Sequence, residues 1–162
     1  MSEPLPGGRF SGREAFEQLI RDALERAAKD GWREIILCDA TFLDWPLRER
    51  AVVESLHAWA NSGRRLITLA ARYDEVLRHH ARFVEWRKTW SHIVDCRVCR
   101  DLVPADFPSA LWSKAWYLQR VELEHSVGYC GHDPERLVQL REALDEKKRH
   151  STPGFAASTL GL

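Results

Sequence analysis

What is missing from this sequence narrows it first. No stretch approaches the ~20 consecutive apolar residues of a membrane-spanning helix. The opening MSEPLPGGRF has neither the basic start nor the apolar centre of a secretory signal. Cysteine is sparse: Cys38, Cys96, Cys99 and Cys130 are too few and too scattered to staple a chain of 162 residues. These absences predict a cytoplasmic protein with reduced thiols and no membrane partner. An excess of one charge is also lacking. Lysine plus arginine and aspartate plus glutamate number 24 each, so no global field draws the chain to nucleic acid or anionic lipid. Nucleic acid is therefore expected to be an unlikely partner. Neither G-x-G-x-x-G nor G-x-x-x-x-G-K occurs, and no Ser-His-Asp or His-Glu-x-x-His arrangement does. No cofactor is implied. Internal repeats and low-complexity segments are absent too.

What is present is ordinary for a globular chain, at 44% hydrophobic and 30% charged residues. The length fits one domain. Residues 1–10, rich in Pro and Gly, predict a loose N-terminal arm, residues 11–150 a single α/β domain, and residues 151–162 a tail docked on it. Ser11 and Glu14 have the spacing of a capping box, and Phe16, Leu19, Ile20, Ala23, Leu24 and Ala27 then recur at helical spacing. Glu34–Cys38 and Arg65–Ala70 are short apolar runs without alternation, the pattern of strands covered on both faces. Between them, Asp44-Trp45-Pro46 predicts the start of a helix over 46–61. Asp74 is placed to cap a helix over 75–90, and 92–98 reads as a third strand. Strand candidates at 110–122 and 125–130 follow, and Asp133-Pro134 opens a last helix. Alternating elements imply right-handed parallel crossovers up to about residue 100. The expected architecture is a three-layer α/β sandwich with a mixed, mostly parallel sheet.

Several of these segments carry a resemblance: Phe16-Glu17-Gln18-Leu19-Ile20, the strand Glu34–Cys38, and the helix ending in Ala60-Asn61-Ser62-Gly63. To these add the strand Arg65–Ala70 and the segment 109–131, closing on Gly128-Tyr129-Cys130-Gly131. Together they resemble one half of the phospholipase D superfamily. The family's His-x-Lys-x4-Asp motif is broken here: with its lysine on Lys114, the nucleophile position holds Trp112 and the acid position Gln119. Tryptophan has no basic lone pair to attack phosphorus. The resemblance thus implies a degenerate, non-hydrolytic member acting in binding or self-assembly. Because family enzymes set two halves side by side, it also implies a homodimer.

Candidate sites can be placed by residue. Asp39, Lys114, His125 and His132 are candidates for an atypical phosphodiester-type hydrolase, Asp39 because it ends a strand where open α/β sheets bind ligands. His125 and His132 flank Gly128, where a ligand could approach backbone lacking a Cβ. Cys96, Cys99, Cys130 and His132 are ligand types suited to tetrahedral zinc, although residues three apart on a strand point to opposite faces. Arg78, Arg82 and Trp86 lie on the 75–90 helix, where arginines interleave with aromatics as stacking on bases would need. A nucleic-acid-binding module using that helix is the alternative function. Trp112, Lys114, Trp116, Leu118 and Arg120 share one face of the 110–122 strand by alternation. Seven tryptophans are hard to enclose in one core, so Trp112 and Trp116 are the expected centre of a dimer interface.

Overall fold

In the computed structural model, which describes residues 3–100 and 107–155, the apolar period after residue 12 forms the longest helix, α1 (Arg13–Asp30). Phe16, Leu19, Ile20, Ala23, Leu24 and Ala27 are all buried, as a stripe at 3.6-residue spacing is when it faces a sheet. Gly31 closes the helix at φ 70°, donating its N–H to the Ala27 carbonyl. The start differs from the capping-box expectation. Gly12 is the N-cap and no side chain caps it. Ser11 instead ends a strand, β1 (Gly8–Ser11), so residues 8–10 of the expected loose arm are held in the sheet.

The alternating part follows as β2 (Glu34–Cys38), α2 (Arg50–Trp59), β3 (Arg65–Ala70), α3 (Asp74–His79), α4 (Ala81–Thr89) and β4 (Val94–Val98). Helix α2 starts later than the composition suggests, because Trp45, Pro46 and Leu47 are buried in the loop before it. The expected single helix over 75–90 is two. It breaks at His80, whose backbone (φ −119°, ψ 52°) leaves the helical region while its ring Nε2 lies 2.7 Å from the Phe42 carbonyl.

The larger departure lies beyond residue 107. The 110–122 run is a hairpin, β5 (Ser109–Trp112) and β6 (Tyr117–Glu122), joined by a turn at 113–116. Ser113 makes the turn: its Oγ accepts from the N–H groups of Ala115 and Trp116 at 3.2 and 3.0 Å and lies 2.9 Å from the Trp116 carbonyl. Then come β7 (Val127–Gly131), α5 (Pro134–Arg149) and β8 (Thr152–Pro153). Asp133 caps α5 as expected, accepting the Glu135 N–H at 3.1 Å.

All eight strands join one sheet, in the order β1-β7-β6-β5-β2-β3-β4-β8. Only β2–β3 and β3–β4 are parallel; the other five pairings are antiparallel. The expectation of a mostly parallel sheet is therefore corrected. Parallel strands need helical crossovers, and these stop at β4; the later β5, β6 and β7 are joined by tight hairpins, which pair antiparallel. Helices cover both faces. Ile35, Leu37 and Leu66 pack in one core with α1, α2 and α4, whereas Ile36, Cys38, Ile67 and Leu69 pack with Leu140 and Leu144 of α5. In the tail, β8 pairs with β4 and Phe155 is buried; residues 156–162 lie outside the described residues. No helix among the described residues is long and apolar enough to cross a membrane.

Candidate functional site

The cations that sequence pattern assigned to one helix are divided, Arg78 on α3 and Arg82 and Lys88 on α4, which packs beside α2. Between α2 and α4 runs an open groove of about 540 Å³, with Arg50, Val53, His57, Arg82 and Trp86 in its lining. Arg82 Nη1 donates to the Arg48 carbonyl at 3.0 Å, tying α4 to the loop before α2. Arg50, Arg78 and Lys88 face carboxylates of their own helices: Glu54 at 3.8 Å, Glu75 at 3.3 Å and Glu85 at 3.3 Å. Arg48 and Arg82 reach only backbone carbonyls. The aromatics do not join them at the surface. Phe83, Trp86 and Arg87, at i, i+3 and i+4 on α4, turn inward and are buried. Stacking of Trp86 on bases is thereby corrected; the exposed arginines Arg78 and Arg82 keep their place at the surface.

The tryptophan patch is not on a surface either. The 113–116 turn resets the alternation, so Trp112 packs in the α5-side core while Trp116 and Leu118 pack in the other. Trp116 is fully enclosed and donates Nε1–H to the Pro6 carbonyl at 2.9 Å. Trp112 donates to the Leu137 carbonyl at 2.8 Å, and the Arg141 guanidinium lies 4.6 Å from its ring centroid. Six of the seven tryptophans are buried within this one chain. The expected homodimer interface has no surface here and is withdrawn.

The four catalytic candidates are split. Asp39 ends β2 in the core, where Oδ2 accepts the N–H groups of Thr41 and Phe42 at 3.2 and 2.8 Å, and Oδ1 accepts from Arg120 Nη2 at 3.1 Å. It is committed on both oxygens. Lys114 sits in the β5–β6 turn, toward the other end of β2. Exposed His125 has Nδ1 3.3 Å from Glu122, while His132 lies past β7 with Nε2 2.7 Å from the Leu5 carbonyl. Lys114 and His132 share the wall of one shallow cleft, without Asp39 or His125. Gly128 offers no approach to a ligand, because a Cβ there would meet the Gln119 carbonyl oxygen at 2.0 Å. The missing side chain lets strands and Phe10 pack.

The zinc candidates are also apart. Cys96 faces the α1-side core from β4 and Cys99 the other. Cys130 lies on β7 and His132 just past it, five strand positions from β4, roughly 24 Å at the usual strand spacing. Burial pushes the Cys38, Cys96 and Cys130 thiols above their ordinary range, so none is poised as a thiolate. Glu122, Glu124 and His125 do gather within 4.8 Å at the β6–β7 turn, an acidic group that spacing alone had not suggested.

Sequence reasoning missed the buried node built on Arg120. Its guanidinium is 3.1 Å from both Asp39 and Asp44, 3.2 Å from Ser109 Oγ and 3.3 Å from Ser126 Oγ. It also lies 4.4 Å from the Phe16 ring centroid. These partners are scattered over some 110 positions, and no local pattern announces them. The node closes the carboxyl end of β2 with every strong donor engaged. Its role is structural.

With these residues placed, the class is defined by the fold: a mixed α/β domain on one eight-stranded, mostly antiparallel sheet. No family model and no curated protein matches the chain. Among solved structures it is similar to TrmBL2, described as an archaeal chromatin protein showing a novel mode of DNA binding, with a TM-score of 0.67 at 12% identity. The likeness covers 94% of this chain and 55% of that one, so the chain spans about half the neighbour's length. At this identity the likeness establishes a shared fold. The neighbour is a DNA-binding chromatin protein, and that finding corrects two expectations: a phospholipase D-like domain of binding or self-assembly, and nucleic acid as an unlikely partner.

Proposed function

We propose that this domain binds nucleic acid, duplex DNA in the first instance, by phosphate contacts from Arg48, Arg50, Arg78 and Arg82. The observation that carries the reading is the fold shared over 94% of the chain with a DNA-binding chromatin protein. The α2–α4 surface, with Arg78 on the neighbouring α3, supports it, since Arg48 and Arg82 lack carboxylate partners among the described residues and Arg50 and Arg78 pair only with carboxylates of their own helices. Such pairs are worth little and exchange readily for phosphate. With Phe83 and Trp86 buried, neither of these rings is offered to bases, and phosphate contacts position the domain without reading sequence.

A duplex of about two helical turns, followed by fluorescence anisotropy from 50 to 200 mM salt, tests this. About four phosphate contacts give a log–log salt slope near −3.6. Arg48→Glu/Arg82→Glu should weaken binding at least tenfold at 50 mM salt with an unchanged melting temperature. No binding at 50 mM salt, or equal binding by the charge-reversed variant, overturns the assignment.

Kinship with one half of the phospholipase D superfamily is a separate proposal, supported by the strand–helix order and by the hairpin ending at Gly128–Gly131. No activity follows from it.

A further inference from the structure

A cleft of about 470 Å³ opens beside the β5–β6 turn, lined by Trp32, Arg33, Glu34, Trp112, Lys114, Ala115 and Arg141. It shares no residue with the α2–α4 groove. We propose that this cleft binds a small aromatic anion, a one- or two-ring carboxylate, sulfonate or phosphate monoester. The volume falls in the range of small-ligand pockets, about 300–1,000 Å³.

The chemistry follows from which polar groups are already engaged. Trp112 Nε1 is taken by the Leu137 carbonyl. The Trp32 carbonyl accepts from Trp59 Nε1 at 2.6 Å and Arg64 Nη1 at 2.8 Å, which fixes the backbone beneath that wall. Arg141 is held by Glu34 and by Asp145, the latter at 2.9 Å, and stacks on Trp112. That leaves Arg33 and Lys114, both exposed, with no carboxylate partner among the described residues. The lone acid of the lining, Glu34, is occupied by Arg141. The small exposed parts of Trp32 and Trp112, both otherwise buried, give the cleft apolar area, and two cations without carboxylate partners stand beside it. The fitting occupant is apolar in body and anionic at one end.

The probe is 8-anilinonaphthalene-1-sulfonate, titrated into the whole chain by fluorescence, with N-phenyl-1-naphthylamine as its uncharged counterpart. Expected results are saturable binding at one site per chain and at least tenfold weaker binding of the uncharged probe. Arg33→Glu/Lys114→Glu should cost at least tenfold in affinity with the far-UV circular dichroism unchanged, and Lys114→Gln a smaller part of that. Val53→Glu, in the other groove, should leave the titration as it is. Absence of saturable binding, equal affinity for the two probes, or indifference to the Arg33 and Lys114 changes overturns the proposal. So does displacement of the probe by oligonucleotide, which would assign the cleft to nucleic acid. Failure of duplex binding at α2–α4 leaves this titration unaffected, so the two readings fall separately.

Discussion

Two guanidiniums are buried in this protein on the same side of the sheet, and their surroundings are opposite. Arg120, at the β1-β7-β6-β5 end, meets two carboxylates and two hydroxyls and lies over Phe16. Arg87, on α4 at the β4-β8 end, donates Nη2 to the Phe155 carbonyl at 2.9 Å; its Nε and Nη1 have no nitrogen or oxygen partner among the described residues, and its charge lies beside the Cys96 thiol and 5.6 Å from the Phe155 ring centroid. The same side chain is a fully compensated tie in one region and an under-compensated one in the other. The difference teaches where the fold is locked. The hairpin half is fastened to the Asp39 loop by charge, whereas α4 is held to the tail by apolar contact and one hydrogen bond.

The largest expected effect comes from breaking the first region. Arg120→Met removes the cation from Asp39, which is 5% exposed, and leaves a buried carboxylate uncompensated. Breaking such a pair typically costs about 3–5 kcal/mol. Urea unfolding should show a loss of that order, and Asp44→Asn a smaller one, because Asp44 is about one-third exposed on its side chain. A loss below about 1 kcal/mol for Arg120→Met would show that the node carries little of the stability.

An intermediate effect separates a buried base that can discharge from one that cannot. His80 is fully buried. Burial lowers its pKa below the ordinary 6.5; the contact with the Phe42 carbonyl and Glu75 pull it back up, while Arg48 and His79 push it further down. Burial thus favours the neutral ring, whose Nδ1 has no hydrogen-bond partner among the described residues. On acidification the unfolded chain takes up the proton first, near pH 6.5. Stability from this group is therefore complete above pH 6.5 and is lost as pH falls toward the lower folded value. Between pH 7.5 and 5.5 the wild type should lose more stability than His80→Gln. Equal slopes for the two proteins would place the pH dependence elsewhere.

Much of the backbone was legible and much of the chemistry was not. The α1 stripe, the doubly covered β2 and β3 and the Asp133-Pro134 start of α5 each rest on local period or capping, and those forces act in the chain before it folds. The 110–122 run misled because Ser113 and its turn contain no glycine or proline to break the apolar pattern. The 75–90 segment misled because the break at His80 is imposed by the distant Phe42 carbonyl. On α3 and α4, sequence identified Arg78 and Arg82 but could not tell that Trp86 faces inward, since a two-turn helix fixes too little of its own rotation. Arg120 was grouped with Trp112 on one imagined face, and its real partners, Asp39 and Asp44, are joined to it only by the β2–β5–β6 register.

The smallest expected effect lies at Arg87, and its smallness is the point. Arg87→Met replaces a buried cation, two of whose nitrogens have no nitrogen or oxygen partner among the described residues, with an unbranched side chain that can follow the same path over Phe155. The variant loses one hydrogen bond to a carbonyl and the attraction of the charge for the Phe155 ring, each worth roughly 1–2 kcal/mol. It also sheds the cost of holding a charge out of water without a counter-ion, a cost of several kcal/mol before local relaxation. These opposing contributions predict a net change within about 1 kcal/mol, of either sign. Arg120→Met has no such offset, because there the burial cost is already met by Asp39 and Asp44. The two variants, compared by urea unfolding under one buffer, should therefore differ by at least about 2 kcal/mol. Equal losses would mean that Arg87 has counter-charge in solution comparable to that of Arg120. Phe155→Leu sharpens the reading: it removes the ring beneath Arg87 but leaves the backbone carbonyl. If the tail is held by apolar contact, it should destabilise more than Arg87→Met does.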